Sequence, residues 1–535
     1  MILVLASMWP QPLAPVHSLG LSALVAAVPL AIVLALMGVL RTSSLLASVC
    51  GLAAAGAMAI LVWHMPPVLA MWSTIFGCVY AVWPILWIVF AALWLYNLTV
   101  ATGKFDLLRH WMERHVSSDP CIQAIVVAFS FGALLEGTAG FGAPVAVTAF
   151  LLVGLGFEAR KAIVVSLIAD TAPVAFGALG IPIVALQGVT NLDLQKLSSM
   201  VGRQLPLMSF IIPFYLACVV AGVKGLKRTW PAALVAGGSF AGAQFFVSNY
   251  WGPYTPDIIA AAVSIAATVG FLRIWKPSEL AKQEEAQPAE KLSSASVFVA
   301  WLPWMLLTVV TVVWSYRKLL SVGQIVWAIP HLHKGVLITL YGQPYSALYT
   351  FQPLAAGTAA LTGVVLTAIC FRVRPGVFAA CGWKTLRQLR LPGLTVIVIV
   401  GLAYLYNYSG MAYTLGAAAA SAGRIFPLLS SYLGWVACFL SGSDTASNVL
   451  FGNLQVAAAH QLHLSPVLMA ATNTSGAVAG KMISPQNIAV GVTTVGLIAQ
   501  EGKVLRSSFW HSVAFAALVG VLAYAQAYWI TWMVP

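Results

Sequence analysis

Two acidic side chains, Glu136 and Asp170, lie in a stretch of sequence that is otherwise apolar and rich in glycine and proline. A charged carboxylate at the centre of a bilayer costs about 2.5–3.5 kcal/mol on insertion scales, so an acid at this depth indicates a functional role. A third acid, Asp444, follows in a similar apolar stretch, and Lys481 stands there without another basic residue nearby. Groups of this kind can exchange protons or bind a small anion.

We predict that Glu136, Asp444 and Asp170 carry proton coupling. Removal from water favours the neutral form of a carboxyl group, which suits reversible protonation. Binding of a sodium ion by hydroxyl and carbonyl oxygens is a competing use of the same surroundings. Asp170 can also be read as the cap of a half-helix, since aspartate is a preferred capping residue.

A small organic anion is the predicted ligand. Helix N-termini present unpaired N–H groups to an anion, and glycines let it approach the backbone. For Lys481 two readings stay open, binding of a carboxylate or snorkelling to the cytoplasmic interface. The predicted substrate-binding residues are Gly137, Thr138, Gly140, Thr171, Ser441, Gly442, Ser443, Thr445, Asn473, Thr474 and Lys481.

An internal repeat relates the two halves of the chain. Gly137 corresponds to Gly442 and, after an adjustment of two residues, Asp170-Thr171 corresponds to Asn473-Thr474. At that same spacing Pro182 corresponds to Pro485. Two copies of a glycine-interrupted hydrophobic unit are the sequence pattern of a transporter whose binding site lies between inverted repeats.

Composition places the chain in the membrane. Of its 535 residues 61% are hydrophobic and 8% are charged, which excludes an ordinary soluble protein. The net charge of +13 comes from basic residues in short connections, as the positive-inside rule expects, and we predict no nucleic-acid partner. The strongest basic cluster fixes the cytoplasmic side: Arg372, Arg374, Lys384, Arg387 and Arg390.

We therefore predict an all-α polytopic membrane protein with about 12 spans and two inverted-topology repeats. Each repeat has a re-entrant helical hairpin and a broken helix interrupted at Asp170–Pro173 or at Asn473–Gly476. Residues 1–78 are predicted to form N-terminal spans. The first repeat is 79–223, with hairpin 122–157 and broken helix 162–182, and the second is 391–535, with hairpin 428–464 and broken helix 467–485. The central region, 224–390, contains a cytoplasmic linker at 276–292 and an external region at 316–352.

Enzymatic activity is not predicted. The sequence has no GxGxxG motif after a strand and no phosphate-binding GxxxxGK[ST] motif. We expect no cofactor and no metal, because the seven cysteines are scattered without metal-ligand spacing. The alternatives that remain are a sodium-coupled carboxylate carrier and a membrane sensor that binds a carboxylate without moving it.

The motifs resemble those of the bacterial lactate permease family over almost the whole chain. The resemblance lies in the segments TGKFDLLR, LLEGTAGFGAPVAVTA, TAPVAFGALGIPI, MVGRQLP, SGSDTASN and GKMISPQ, which begin at residues 102, 134, 171, 200, 441 and 480. It implies a symporter of the bacterial inner membrane that takes up lactate or glycolate with protons and uses no prosthetic group.

One residue departs from the family pattern. Asp170 stands where members of the family commonly carry asparagine before Thr-Ala-Pro, so either proton coupling or substrate preference is expected to differ. The family also resembles a branch of the ion-transporter superfamily, whose members are often dimeric elevators. A homodimer is expected on that analogy of fold alone.

Overall fold

The computed structural model describes residues 8–38, 40, 42–107, 119–138, 140, 142–275, 294–317, 319–497 and 500–535. Helices dominate these ranges, with a few short strands near residues 9–10 and 325–351. The predicted cytoplasmic linker at 276–292 lies outside the described residues.

The N-terminal region forms a group of apolar helices. Ser43 caps the second helix through its hydroxyl group, and Pro67 occupies the first turn of the third, where proline is favoured. The elements are α1 (Leu19–Gly38), α2 (Ser44–Leu61), α3 (Pro67–Tyr80), π-helical turns at Ala81–Leu86 and α4 (Trp87–Ala101).

A helical hairpin follows. Its first arm consists of α5 (Pro120–Gln123), π-helical turns at Ala124–Phe131 and α6 (Gly132–Thr138), and α7 (Ala143–Gly154) runs back. An 18-residue apolar window of the stretch Pro120–Thr138 is entirely buried inside the protein. Burial by protein is what irregular backbone needs at membrane depth, because lipid cannot satisfy its polar groups.

The next helix is broken. It starts as α8 (Ala159–Ala169) and continues, after a short 3-10 turn at Val174–Phe176, as α9 (Gly177–Thr190). The two parts are bent by 65°. The break begins at Asp170, and left-handed residues at Ala178–Gly180 prolong it. Pro173 explains the interruption, since proline and its neighbour disfavour a regular helix.

Two long antiparallel arms form the next element, α10 (Leu194–Tyr250), which reverses at Ala221 and Gly222. The arms contact each other closely, with the Ser198 hydroxyl donating to the Ser248 carbonyl at 2.8 Å. The reversal is followed by Lys224, Lys227 and Arg228, and the positive-inside rule predicts the cytoplasmic side for it. Helix α11 (Pro256–Leu272) follows the opposite end of α10.

The region 316–352, which is predicted to be external, contains four of the five strands in the described residues. Between α12 (Ser294–Tyr316) and α13 (Ala356–Cys370) lie β2 (Ile325–Ala328), β3 (Val336–Ile338), β4 (Gln343–Pro344) and β5 (Leu348–Phe351). Strand β1 (Trp9–Pro10) pairs in parallel with β3, which pairs antiparallel with β4, and β2 pairs antiparallel with β5. The three-stranded sheet joins residues 9–10 to the region between α12 and α13.

The last part of the chain repeats the order of a long helix, a hairpin, an interrupted helix and a long helix. Ser443 and Ser465 cap helices through their hydroxyl groups. The helices are α14 (Pro375–Ser409), α15 (Met411–Ala419), α16 (Phe426–Ser441), α17 (Asp444–Gln461), α18 (Pro466–Lys481), α19 (Pro485–Thr494) and α20 (Glu501–Tyr528).

The interruption predicted at Asn473–Gly476 is wrong. Helix α18 continues through these residues and ends at Lys481, and the break occupies residues 482–484. The reason is that the second repeat has Gly476 where the first has Pro173, so nothing in the backbone chemistry stops the helix there. Both breaks end at the same place in the repeat, next to Pro182 and Pro485.

Glycines bring α16 and α18 into backbone contact. A methyl group added at Gly476 would lie 2.0 Å from the Ser431 carbonyl oxygen, and one at Gly480 would lie 2.2 Å from that of Trp435. Small residues permit such close approach between membrane helices. This contact fixes the end of α18 and therefore the position of Lys481.

Membrane-spanning helices are evident from length and composition. Within the described ranges, eight helices are long and apolar enough to cross a bilayer, or nine if the bent α8–α9 pair is one span, and shorter apolar helices accompany them. The fold is a polytopic helical membrane protein, as predicted. The figure of about 12 spans and the inverted orientation of the repeats stay predictions.

Candidate functional site: a charged centre between two hairpin tips

A buried lysine is bound to two acids from another part of the chain. The Lys481 ammonium donates to Glu136 Oε1 at 2.7 Å and lies 3.0 Å from Asp170 Oδ2. All three side chains are at most 7% exposed. The ion pairs connect α6 and the break after α8 to the end of α18, so they join the two repeats. We call Lys481, Glu136, Asp170 and the neighbouring Asp444 the charged centre.

The ion pairs account for the burial of Lys481. Burial of an unpaired charge is costly, and removing one partner of a buried ion pair typically costs about 3–5 kcal/mol. Gly177 provides the necessary space, because a methyl group there would lie 2.6 Å from Glu136 Oε1. Lys481 therefore does not snorkel to the interface, and the Asp170 side chain pairs with it at the C-terminal end of α8.

The tips of both hairpins and the first break meet at this lysine. A cavity of about 60 Å³ lies between them, with room for several water molecules or a ligand of a few heavy atoms. Gly140 and Gly442 line it with positive φ angles of 57° and 71°, which only glycine adopts readily. The other lining residues include Glu136, Gly177, Pro182, Ser443, Asp444, Thr445 and Lys481.

Asp444 is the acid in the cavity without a described partner. It begins α17 directly after the capping Ser443, and neither carboxylate oxygen has a hydrogen-bond partner among the described protein atoms. Glu136 Oε2 and Asp170 Oδ1 also have none there. Unsatisfied buried oxygens of this kind call for a proton, water or a ligand.

Several predicted ligands lie outside the cavity lining. The amide of Asn473 donates to Asn448 Oδ1 at 3.0 Å, and the hydroxyl of Thr474 donates to the same atom at 2.9 Å. Asn448 in turn donates to the Pro182 carbonyl at 3.1 Å. Asn473 and Thr474 therefore do not line the cavity. They position Asn448, which bonds to Pro182 directly after the first break.

The remaining predicted residues either pack against a neighbouring helix or form hydrogen bonds within their own helices. Gly137 faces α11, where an added methyl group would lie 3.0 Å from Asp257 Cβ. The hydroxyl of Thr138 donates to Leu134, that of Thr171 to Leu167 and that of Ser441 to Ala437. Ser441 does not line the central cavity but a larger cavity next to it, which is described below.

Sequence reasoning missed three polar residues near the centre: Asn448, Asp257 and Asn487. Asn487 donates to the Gly442 carbonyl at 3.2 Å, so it holds the second hairpin tip against the second break. Asn448 follows Asp444 by one helical turn, and this spacing in SGSDTASN could have indicated it. For Asp257 the sequence offered no comparable indication, because an acid in the first turn of a helix commonly does no more than stabilise the helix dipole.

Two larger cavities flank the centre. One of about 440 Å³ reaches Leu391, which follows the basic cluster, and shares Gly442, Ser443 and Thr445 with the central cavity. The other, about 650 Å³, is lined by Tyr80, Tyr404 and residues of the external region such as Tyr345. The positive-inside rule assigns the first to the cytoplasmic side and the second to the outside.

Paired hairpins, broken helices and a buried charged centre define a multi-pass membrane protein with the architecture of a secondary transporter. The chain belongs to the L-lactate permease family, whose sequence profile matches residues 22–530. It is a permease-family protein of the bacterial inner membrane and not an enzyme.

The relatives match over their full length. The chain is 42% identical to the glycolate permease GlcA of Escherichia coli, over 98% of this chain and 99% of the relative. It is 40% identical to the L-lactate permease of Escherichia coli, over 99% and 100%. Among solved structures, the YdaH transporter of Alcanivorax borkumensis is 14% identical with a TM-score of 0.43, over 82% of this chain and 84% of that one.

Proposed function

We propose that the chain is a symporter that takes up lactate and related 2-hydroxymonocarboxylates such as glycolate together with protons. The observation that carries the proposal is Lys481, held between Glu136 and Asp170 in a cavity formed by both hairpin tips. Relatives named as glycolate and L-lactate permeases support the substrate class.

Substrate binding follows from the chemistry of the cavity. A lactate carboxylate would take the place of Glu136 at the Lys481 ammonium, the one cation among the described lining residues. The Ser443 and Thr445 side chains lie at the start of α17, whose N-terminal N–H groups favour an anion. The 2-hydroxyl group of the substrate can bond to Asp444, whose carboxylate oxygens are unpartnered within the described chain.

The charge of the centre supports proton coupling. Three carboxyl groups face one ammonium group, so a bound substrate anion adds a further negative charge to a buried site. Because burial of uncompensated charge is costly, the substrate binds most readily when a released carboxylate takes up a proton. Glu136 is the first candidate, since the substrate would displace it from Lys481.

Uptake by purified protein in proteoliposomes tests the proposal. With an acidic exterior and no sodium, labelled L-lactate should accumulate by up to about tenfold per pH unit for one proton per substrate, since one pH unit is worth about 1.36 kcal/mol. A protonophore should abolish the accumulation.

The two alternatives give different results in the same assay. Accumulation that requires sodium, whatever the pH gradient, would identify a sodium-coupled carrier. Saturable lactate binding without accumulation under either gradient would identify a sensor. Failure to bind or move any 2-hydroxymonocarboxylate would refute the proposed substrate class.

A further inference from the structure

Asp257 is a fourth buried acid, in the first turn of α11, and the charged centre does not include it. Its Oδ1 accepts a hydrogen bond from Gln244 Nε2 at 3.3 Å, and its Oδ2 has no partner among the described protein atoms. The side chain is only 1% exposed. One neutral amide is poor compensation for a buried carboxylate.

On one side Asp257 contacts the segments that carry the partners of Lys481. Its Cβ would lie 3.0 Å from a methyl group at Gly137, which directly follows Glu136. Gln244, its hydrogen-bond donor, also donates to the Ala172 carbonyl at 3.1 Å, in the break that begins at Asp170. Glu136, Asp170 and Lys481 are the charged groups that act on Asp257.

On the other side, the loop that leads into Asp257 borders the external cavity. Tyr254, three residues before Asp257, lines that cavity. The same loop, between α10 and α11, packs against the first break, because a methyl group at Gly180 would lie 2.3 Å from the Pro253 carbonyl oxygen. Asp257 thus lies between the loop that lines the external cavity and the charged centre.

We propose that Asp257 passes protons from the external cavity to the charged centre, an inference that rests on the proposed proton symport. In the first step an O–H bond of a hydronium ion in the cavity breaks and, through a water molecule at the start of α11, an O–H bond forms at the Asp257 carboxylate. In the second, that O–H bond breaks and, through a water molecule, a proton joins the unpartnered Oε2 of Glu136.

Gradient-driven accumulation and counterflow of labelled L-lactate in proteoliposomes test this step. Counterflow at equal pH exchanges substrate for substrate and needs no net proton movement. For Asp257→Asn we expect the accumulation to fall from about tenfold per pH unit to equilibration, with counterflow preserved. Asp257→Glu, which restores a titratable group, should accumulate lactate. The control Glu158→Gln removes an exposed acid and should behave like wild type.

Each result has a definite meaning. If wild type itself fails to accumulate lactate with protons, the proposed function fails and not merely the role of Asp257. If wild type accumulates and Asp257→Asn does so equally, Asp257 carries no protons in transport. If Asp257→Asn loses both modes, restoration of accumulation by Asp257→Glu supports the proton role, and no restoration overturns it.

Discussion

Among individual residues, Lys481 and its two acids carry the proposed function. The contact between Lys481 and Glu136 joins positions 345 residues apart in the sequence, so no local pattern could predict the pairing. The sequence did indicate each member, because a charged group in apolar surroundings is costly. What it could not supply was the direction of each side chain, and this is why Asn473 and Thr474 were predicted as ligands.

Loss of Lys481 should destabilise the protein. In Lys481→Gln, Glu136 and Asp170 face each other without a cation, and we expect a cost of about 3–5 kcal/mol. Protonation removes the excess negative charge, so the variant should be more stable in acidic than in neutral buffer. Thermal unfolding of the purified protein in both buffers measures this.

A combined variant provides the control. Adding Glu136→Gln and Asp170→Asn removes the unpaired charges and should recover much of the lost stability. If Lys481→Gln unfolds like wild type at both pH values, the ion pairs do not stabilise the fold.

Asn473 should affect stability more than affinity. Asn473→Ala removes a donor to Asn448 and leaves Gln455 Nε2 without one acceptor, at an expected cost of about 1–3 kcal/mol. The melting temperature should fall while the KM for lactate stays close to that of wild type. A large rise in KM with an unchanged melting temperature would instead show that Asn473 binds substrate.

At the scale of elements, the sequence anticipated one break and misplaced the other. Pro173 marks the first, since proline has a local effect on the helix that is legible in one chain. Gly476 was the basis for predicting the second break, but in the structure this glycine packs closely against Ser431 inside a continuous helix. Glycine has both uses in membrane helices, and only the neighbouring element decides between them.

Packing of α18 against α16 can be tested with one methyl group. Gly476→Ala places that group against the Ser431 backbone, and such overpacking costs about 1–3 kcal/mol. Gly154→Ala is the matched control, since nothing lies within 4 Å of its added methyl group. Thermal unfolding should therefore separate the two variants. Equal melting temperatures would contradict the backbone contact between α16 and α18.

For the whole molecule, the structure indicates a centre that connects to the cavity next to the basic cluster, on the side predicted to be cytoplasmic. The central cavity shares Gly442, Ser443 and Thr445 with the cavity next to the basic cluster. Within the described residues, the external cavity and the central cavity have no lining residue in common. Alternating access requires a second arrangement, in which the centre connects to the external cavity and is closed to the cavity next to the basic cluster.

Cysteine labelling measures this asymmetry. In a background without the seven native cysteines, Ser443→Cys should react with a membrane-impermeant maleimide applied from the cytoplasmic side, and lactate should slow the reaction. Asn191→Cys, exposed at the external cavity, should react from outside only. Reaction of Ser443→Cys from outside alone would reverse the assigned orientation.

We propose that substrate binding and proton uptake are linked at Glu136. The most direct measurement compares wild type with Glu136→Gln in proteoliposomes, using labelled L-lactate for both gradient-driven accumulation and counterflow. We predict that the variant keeps counterflow but no longer concentrates lactate, whereas wild type concentrates it by up to about tenfold per pH unit. Full gradient-driven accumulation by Glu136→Gln would contradict the claim and move the proton to another acid of the centre.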